Sequence, residues 1–186
     1  MAEKLLMYSQ DVGGGRFMLP VVKELIAKRI APDTVVLVHP LSQALFGKEN
    51  IPHQKLEDAI KTVPVSFAAW ETYRKVHNVE RVFCTTSSPY RDPSNAHLIA
   101  AARDAGIPAL GIMDHWKGYD RFFEDGELCW FPDHICCIDD LEGRRVAERL
   151  GINITGTLGV LLLAKRENFI DKLKPYWMRS SGMVFE

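Results

Sequence analysis

Residues 4–40, KLLMYSQDVGGGRFMLPVVKELIAKRIAPDTVVLVHP, read as a strand, a helix and a second strand in immediate succession. KLLMYS (4–9) is apolar enough for a buried strand, and residues 17–30 carry apolar side chains at the spacing of a helix that packs one face on a sheet. TVVLVHP (34–40) is a continuous β-branched run, typical of a central parallel strand buried on both faces. The stretch therefore predicts a βαβ unit whose first connection is the glycine-rich segment DVGGGR.

The same alternation continues along the chain. Further strands are predicted at 81–87, 108–114 and 134–140, with NITGT as a short strand or turn. Helices are predicted over 53–63 and 65–78, separated at Pro64, and from Asp92 as N-cap and Pro93 as first helical residue to Gly106. Residues 116–131 read as a loop. The fold class is α/β, a three-layer, doubly wound, mainly parallel Rossmann-like sheet forming a single domain over 1–186.

Composition excludes several classes of protein. The chain has 23 basic and 24 acidic residues, so it lacks the overall positive field that would hold a nucleic acid, and only a local basic patch stays open. The four cysteines have no metal-ligand spacing and are expected to be core thiols. No apolar run reaches the roughly 20 residues of a membrane span, and a signal core is absent from MAEKLLMYSQ. We expect a cytoplasmic protein.

Two candidate binding segments follow predicted strands. The triple glycine, Gly13, Gly14 and Gly15, precedes a helix whose first N–H groups favour phosphate or sugar hydroxyls, although the spacing matches no standard phosphate fingerprint. A tight turn is the alternative. Four hydroxyls, at Thr85, Thr86, Ser87 and Ser88, could bind a sugar or phosphate or could merely satisfy the loop backbone.

A denser set of chemically active side chains follows the strand 108–114. His115 is the candidate base and Asp114 the carboxylate beside it, while Trp116 or Tyr119 could stack on a ligand. Arg121 and Arg16 are candidate clamps for a phosphate or carboxylate. The alternative is an aromatic lid on the core with surface ion pairs.

A fourth candidate is the acidic pair Asp139 and Asp140. The two carboxylates could hold a divalent metal, or Asp140 could cap the next helix.

Residues 4 to about 150, with VGGGRFMLPVVKEL, VVLVHPLSQALF, TTSS and IPALGIMDHWKGYDRF, resemble the N-terminal Rossmann domain of B-type glycosyltransferases and sugar-nucleotide 2-epimerases. The resemblance implies a sugar- or nucleotide-binding domain, with a small-molecule sugar or nucleotide as ligand and no cofactor. Those enzymes use a second Rossmann domain for the sugar nucleotide, which 186 residues cannot supply. The resemblance therefore implies a domain that is not an autonomous transferase and that works with a partner chain or as a homo-oligomer.

The stretch of about 138–186, with IDDLEGRRVAERLGINITGTLGVLLLAKRENFI, resembles PIN-like proteins of toxin-antitoxin systems instead. This implies a ribonuclease that uses Mg²⁺ or Mn²⁺, with Asp139 and Asp140 as metal ligands and an incomplete set of acids. A junction between the two families is then expected near 138–152. The third alternative is a non-catalytic interaction domain.

Overall fold

The strands predicted around the quoted stretch lie in one parallel sheet. The computed structural model describes residues 4–28, 33–113, 122–124, 127–128, 131–137 and 154–156. The strands within these ranges are β1 (Lys4–Ser9), β2 (Thr34–Val38), β3 (Gln54–Lys55), β4 (Val79–Thr85), β5 (Ala109–Met113), β6 (Phe123–Glu124), β7 (Glu127–Leu128), β8 (His134–Cys137) and β9 (Ile154–Gly156). Seven of them pair in the order β3-β2-β1-β4-β5-β8-β9, and every pairing in this sheet is parallel.

Helices cover both faces of the sheet. They are α1 (Val12–Lys28), α2 (Pro40–Lys48), α3 (Leu56–Ala59), α4 (Phe67–His77) and α5 (Ser94–Asp104). Side chains alternate along a strand, so Met7 of β1 packs in a core with α1 and α2, whereas its neighbour Tyr8 packs with Trp70 of α4 and Leu98 of α5. The predicted three-layer, doubly wound α/β fold is confirmed.

The central strands are apolar because both of their faces are covered. In β2, Leu37 and Val38 are fully buried and face opposite cores. Their neighbour β1 is held in register with β2 through Met7 opposite Val36 and Tyr8 opposite Leu37. The run TVVLV thus behaves as the sequence pattern predicts.

Helix α1 differs from its predicted form. It begins at Val12, not at residue 17, so the triple glycine forms its first turn and Pro20 lies in its interior. Glycine is a poor helix former, so its low helix propensity predicts a loop for these residues. The side chain of Asp11 accepts a hydrogen bond from the Gly14 amide at 2.7 Å and so caps the helix.

Three other segments also depart from prediction. The helix expected over 53–63 is limited to α3, which follows the two-residue strand β3. Helix α5 begins at Ser94, one residue later than expected, and Asp92 accepts the Ser94 amide through Oδ1 at 2.9 Å. The segment 116–131, expected as a loop, contains the antiparallel pair β6 and β7.

Two further observations concern the chain as a whole. Strand β9 pairs with β8 in the main sheet, although it follows the predicted family junction at 138–152. Among the helices that the structure describes, none is both long and apolar enough to cross a bilayer.

Candidate functional site at the switch-point edge

The strand order reverses between β1 and β4, which lie side by side. The chain leaves β1 toward β2 and β3 on one side of the sheet, and it leaves β4 toward β5 and β8 on the other. In open α/β sheets such a reversal opens a crevice at the carboxyl ends of the strands, where ligands bind. We call residues 9–11, 39, 85–87 and 92–95, which lie at these ends, the switch-point edge.

Asp11 occupies the centre of this edge. Its Oδ1 accepts the Gly14 amide at 2.7 Å, and its Oδ2 accepts a hydrogen bond from the Ser87 hydroxyl. The first contact caps α1, and the second joins the exit of β1 to the exit of β4. The carboxylate is therefore fixed between two connections, and it is only partly buried.

A buried amide network lies behind Asp11. The Gln10 amide donates to the Thr85 hydroxyl at 3.0 Å, and the Asn95 amide donates to Gln10 Oε1 at 2.8 Å. The Asn95 side chain donates to the Thr85 carbonyl oxygen. Gln10 and Asn95 are each 2 % exposed, so these bonds satisfy polar groups that water does not reach.

Asp92 is a second carboxylate at this edge, and it is hydrogen-bonded to His39. His39 Nε2 lies 3.0 Å from Asp92 Oδ2, and the Leu41 amide donates to His39 Nδ1 at 3.2 Å. Because Nδ1 accepts, the proton of the neutral ring lies on Nε2 and is donated to Asp92. Gln10 Nε2 also donates to the Asp92 carbonyl oxygen at 2.8 Å, which ties this position to the amide network.

Burial shifts the pKa of two ionisable groups beneath the edge, Tyr8 and Cys84. Burial raises the pKa of the Tyr8 hydroxyl well above its ordinary value, and the negative charge of Asp92 raises it further. Burial also raises the pKa of the Cys84 thiol to about 12.

The structure brings together only part of the predicted site. Gly14 and Gly15 are buried in α1, where a Cβ on Gly14 would lie 2.7 Å from Thr85 Cβ and one on Gly15 would lie 2.8 Å from Ser9 Oγ. The two glycines therefore permit close packing, and the predicted ligand contact stays a prediction. Gly13 and Arg16 are also helical, and Arg16 is exposed.

The predicted hydroxyls of Thr85, Thr86 and Ser87 form hydrogen bonds within the protein at this edge. Thr86 Oγ1 donates to the Ile112 carbonyl oxygen at 2.8 Å, Thr85 accepts from Gln10, and Ser87 donates to Asp11. Their binding of a sugar or phosphate stays a prediction. Seven other predicted site residues lie outside the described residues: Asp114, His115, Trp116, Tyr119, Arg121, Asp139 and Asp140.

Sequence reasoning overlooked the carboxylate of Asp11 as the centre of the site, together with Gln10, His39, Asn95 and the polar contacts of Asp92. Aspartate is a preferred N-cap residue, so Asp11 could have placed the helix start at residue 12. The other contacts cross between strands that are distant in sequence, so a single sequence carries no direct signal of them.

Asp11 is the side chain at this edge best suited to a hard cation. A carboxylate offers about four acceptor positions, and the Gly14 amide and Ser87 hydroxyl take two of them at Asp11. Mg²⁺ is commonly held by one or two carboxylates together with water and substrate phosphates. Within the residues that the structure describes, no group of three His, Cys, Asp or Glu side chains could hold a metal. Asp11 therefore has acceptor positions left for a cation that a phosphate also binds.

Comparison with known proteins points to one family over part of the chain. A family model described as DUF3368, a PIN domain, matches residues 131–181, just over a quarter of the sequence. Comparisons with curated proteins and with solved structures give no match.

This result corrects the resemblance drawn from residues 4 to about 150. The assignment to B-type glycosyltransferases and sugar-nucleotide 2-epimerases, and with it the description of the chain as transferase-like, is wrong, because the matching family is a PIN domain and no comparison supports a glycosyltransferase. The match overlaps the stretch of about 138–186 that resembles PIN-like proteins. The chain is thus similar to PIN domains in its C-terminal part and carries an α/β sheet of seven parallel strands.

Proposed function

We propose that this chain is a PIN-like, metal-dependent ribonuclease whose site lies at the switch-point edge and is centred on Asp11. The observation that carries the proposal is the position of Asp11, a partly exposed carboxylate at the exit of the first strand, in a chain that matches a PIN domain. The sequence alone argued against nucleic acid as a partner, because the net charge is near zero. A cation held at the edge removes that objection locally, since it would attract a phosphodiester.

The charge of Asp11 favours a cation over a free phosphate at the start of α1. An anion at the start of a helix is bound by the free backbone amides there. The Gly14 amide is not free, because it already donates to the Asp11 carboxylate. A phosphate placed there alone would face a like charge, whereas a phosphate accompanied by Mg²⁺ or Mn²⁺ would not. This argument favours the nuclease over a simple nucleotide-binding domain.

The residues around Asp11 would hold it ready for this role. Ser87 and Gly14 fix the two carboxylate oxygens, so little reorganisation is needed when a ligand arrives. A metal bound there would supply Lewis-acid stabilisation of the negative charge that develops on the phosphodiester. Asp139 and Asp140 follow β8 of the same parallel sheet and lie within the PIN match, so they are the further acids that the proposal calls on.

Cleavage of a labelled single-stranded RNA by the full chain tests the proposal. We expect cleavage in Mn²⁺ or Mg²⁺ and none in EDTA. Asp11→Asn should lower the rate about a hundredfold or more, because a neutral amide loses the several kcal/mol of charge stabilisation that a bound metal supplies. Asparagine caps a helix as well as aspartate does, so α1 should stay folded.

Asp104→Asn is the matched control. Asp104 is exposed and ends α5, a crossover helix that starts beyond the carboxyl end of β4 and returns to the opposite edge of the sheet. This variant should cleave RNA at the wild-type rate. No metal-dependent cleavage by the wild-type chain, or equal cleavage by Asp11→Asn, would contradict the proposal.

A further inference from the structure

The loop that joins β4 to α5 is held firmly at both ends. We call residues 87–92, SSPYRD, the platform loop. At its start the Ser87 hydroxyl donates to Asp11, and at its end Asp92 bonds His39, Ser94 and Gln10. Between Ser87 and Asp92, the ring of Pro89 fixes the backbone φ angle of that residue. The tip of the loop is therefore presented from a fixed base.

The tip of this loop is aromatic, cationic and exposed. Tyr90 is 76 % exposed, the largest value among the exposed large apolar side chains of the described residues, and Arg91 beside it is exposed as well. Leu41 at the start of α2 is 61 % exposed and Val12 at the start of α1 is 40 % exposed. Exposed apolar side chains thus stand on three of the connections that leave the carboxyl ends of the strands.

Tyr90 lies close to the proposed reaction centre. Three residues of fully extended chain span at most about 10 Å, so the Tyr90 Cα lies within that distance of the Cα of Ser87, the residue that holds Asp11. Arg91 directly precedes Asp92, and Arg16 is exposed on α1, five residues after Asp11. An aromatic side chain and two arginines are therefore exposed on the connections that adjoin Asp11.

We infer that the platform loop binds single-stranded RNA, with Tyr90 stacking on a base and Arg91 and Arg16 contacting backbone phosphates. The inference rests on the proposed function, because it names the side chains that would hold the substrate beside Asp11. An unpaired base offers its flat face to a tyrosine ring, whereas in a duplex that face is already stacked. Arginine complements phosphate geometry and charge. A chain of net charge −1 needs such local contacts to hold a polyanion.

Binding is measured without cleavage, by the fluorescence anisotropy of a labelled single-stranded RNA in EDTA. Stacking contributes about 1–3 kcal/mol per base, so Tyr90→Ala should weaken binding by about 5- to 150-fold. Tyr90→Trp should keep the affinity, because it keeps a stacking face. Arg91→Ala should weaken binding and lower the salt dependence, by about 0.7 in the slope of log affinity against log salt.

Two controls separate a specific contact from surface stickiness. Val76→Ala changes another well-exposed apolar side chain, on α4, and should bind like the wild type. A duplex RNA of the same sequence should bind more weakly than the single strand. The inference is overturned if the wild-type chain does not bind the single strand, or if Tyr90→Ala binds it as well as the wild type.

The two proposals fail separately. The ribonuclease is tested by cleavage in Mn²⁺, whereas the platform loop is tested by binding in EDTA, where no metal takes part. Cleavage that is insensitive to Tyr90→Ala, with unchanged binding, would overturn the inference alone. Binding that depends on Tyr90 in a chain that never cleaves RNA would overturn the ribonuclease and support the platform loop.

Discussion

At the scale of single residues, Gly14 shows how the absence of a Cβ atom allows a helix to pack closely on a neighbouring strand. The low helix propensity of glycine predicts a loop for the three glycines, yet in the structure they lie in the first turn of α1. A glycine is needed in this turn because a Cβ on Gly14 would lie 2.7 Å from Thr85, which belongs to a strand far along the chain. The sequence marks these residues as special, but their neighbour is set by the sheet order, which no local pattern contains.

Gly14→Ala should therefore destabilise the protein. The added Cβ would lie 2.7 Å from both Cβ and Cγ2 of Thr85, a residue that is itself buried and bonded to Gln10. Overpacking of this kind costs about 1–3 kcal/mol, and urea unfolding measures it.

Gly47→Ala is the matched control. Gly47 also lies in a helix, α2, but its added Cβ would have no neighbour within 4 Å. This change should stabilise the protein by up to about 1 kcal/mol, because alanine forms helices better than glycine. Equal effects of the two substitutions would contradict the packing account.

At the scale of elements, strands and helices were predicted better than their ends. Five strands and the helix ending near Gly106 appear where hydrophobic patterns place them, and Gly106 has the positive φ of 66° that ends a helix. The short α3 and the pair β6 and β7 escaped prediction, because two to four residues are too few to show a period.

A buried thiol in the central strand β4 should make the stability of the protein depend on pH. Cys84 is fully buried there, and burial raises the pKa of its thiol from an ordinary value of 9.0 to about 12. Between these values the unfolded chain releases a proton that the folded chain keeps, so the free energy of unfolding falls as pH rises. The slope for this group is at most about 1.4 kcal/mol per pH unit.

Urea unfolding between pH 8 and 11 checks this slope. Cys84→Ala should unfold more readily at pH 8 but should show a shallower loss of stability at higher pH. The slope that remains is assigned in part to Tyr8 and Tyr73, since burial raises the pKa of both hydroxyls. An identical slope in the wild type and Cys84→Ala would refute the assignment to Cys84.

At the scale of the whole molecule, the alternation of strands and helices predicts the fold class, whereas the strand order places the site. The parallel three-layer sheet follows from a chain that reads as strand, helix, strand. The meeting of Asp11 with Ser87, and of His39 with Asp92, depends on β1 lying between β2 and β4. Of the residues at this edge, the sequence pointed to the hydroxyls of Thr85, Thr86 and Ser87 but did not identify Asp11 as the centre.

Paramagnetic broadening by Mn²⁺ in an NMR spectrum of the full chain tests the central claim directly, because it locates the cation without requiring cleavage. The account predicts that substoichiometric Mn²⁺ broadens the amide signals of residues 11–15, Thr86 and Ser87, and spares Gly106 beyond the end of α5. Asp11→Asn should abolish this pattern. Broadening that avoids the switch-point edge, or that persists unchanged in Asp11→Asn, would contradict a metal site centred on Asp11.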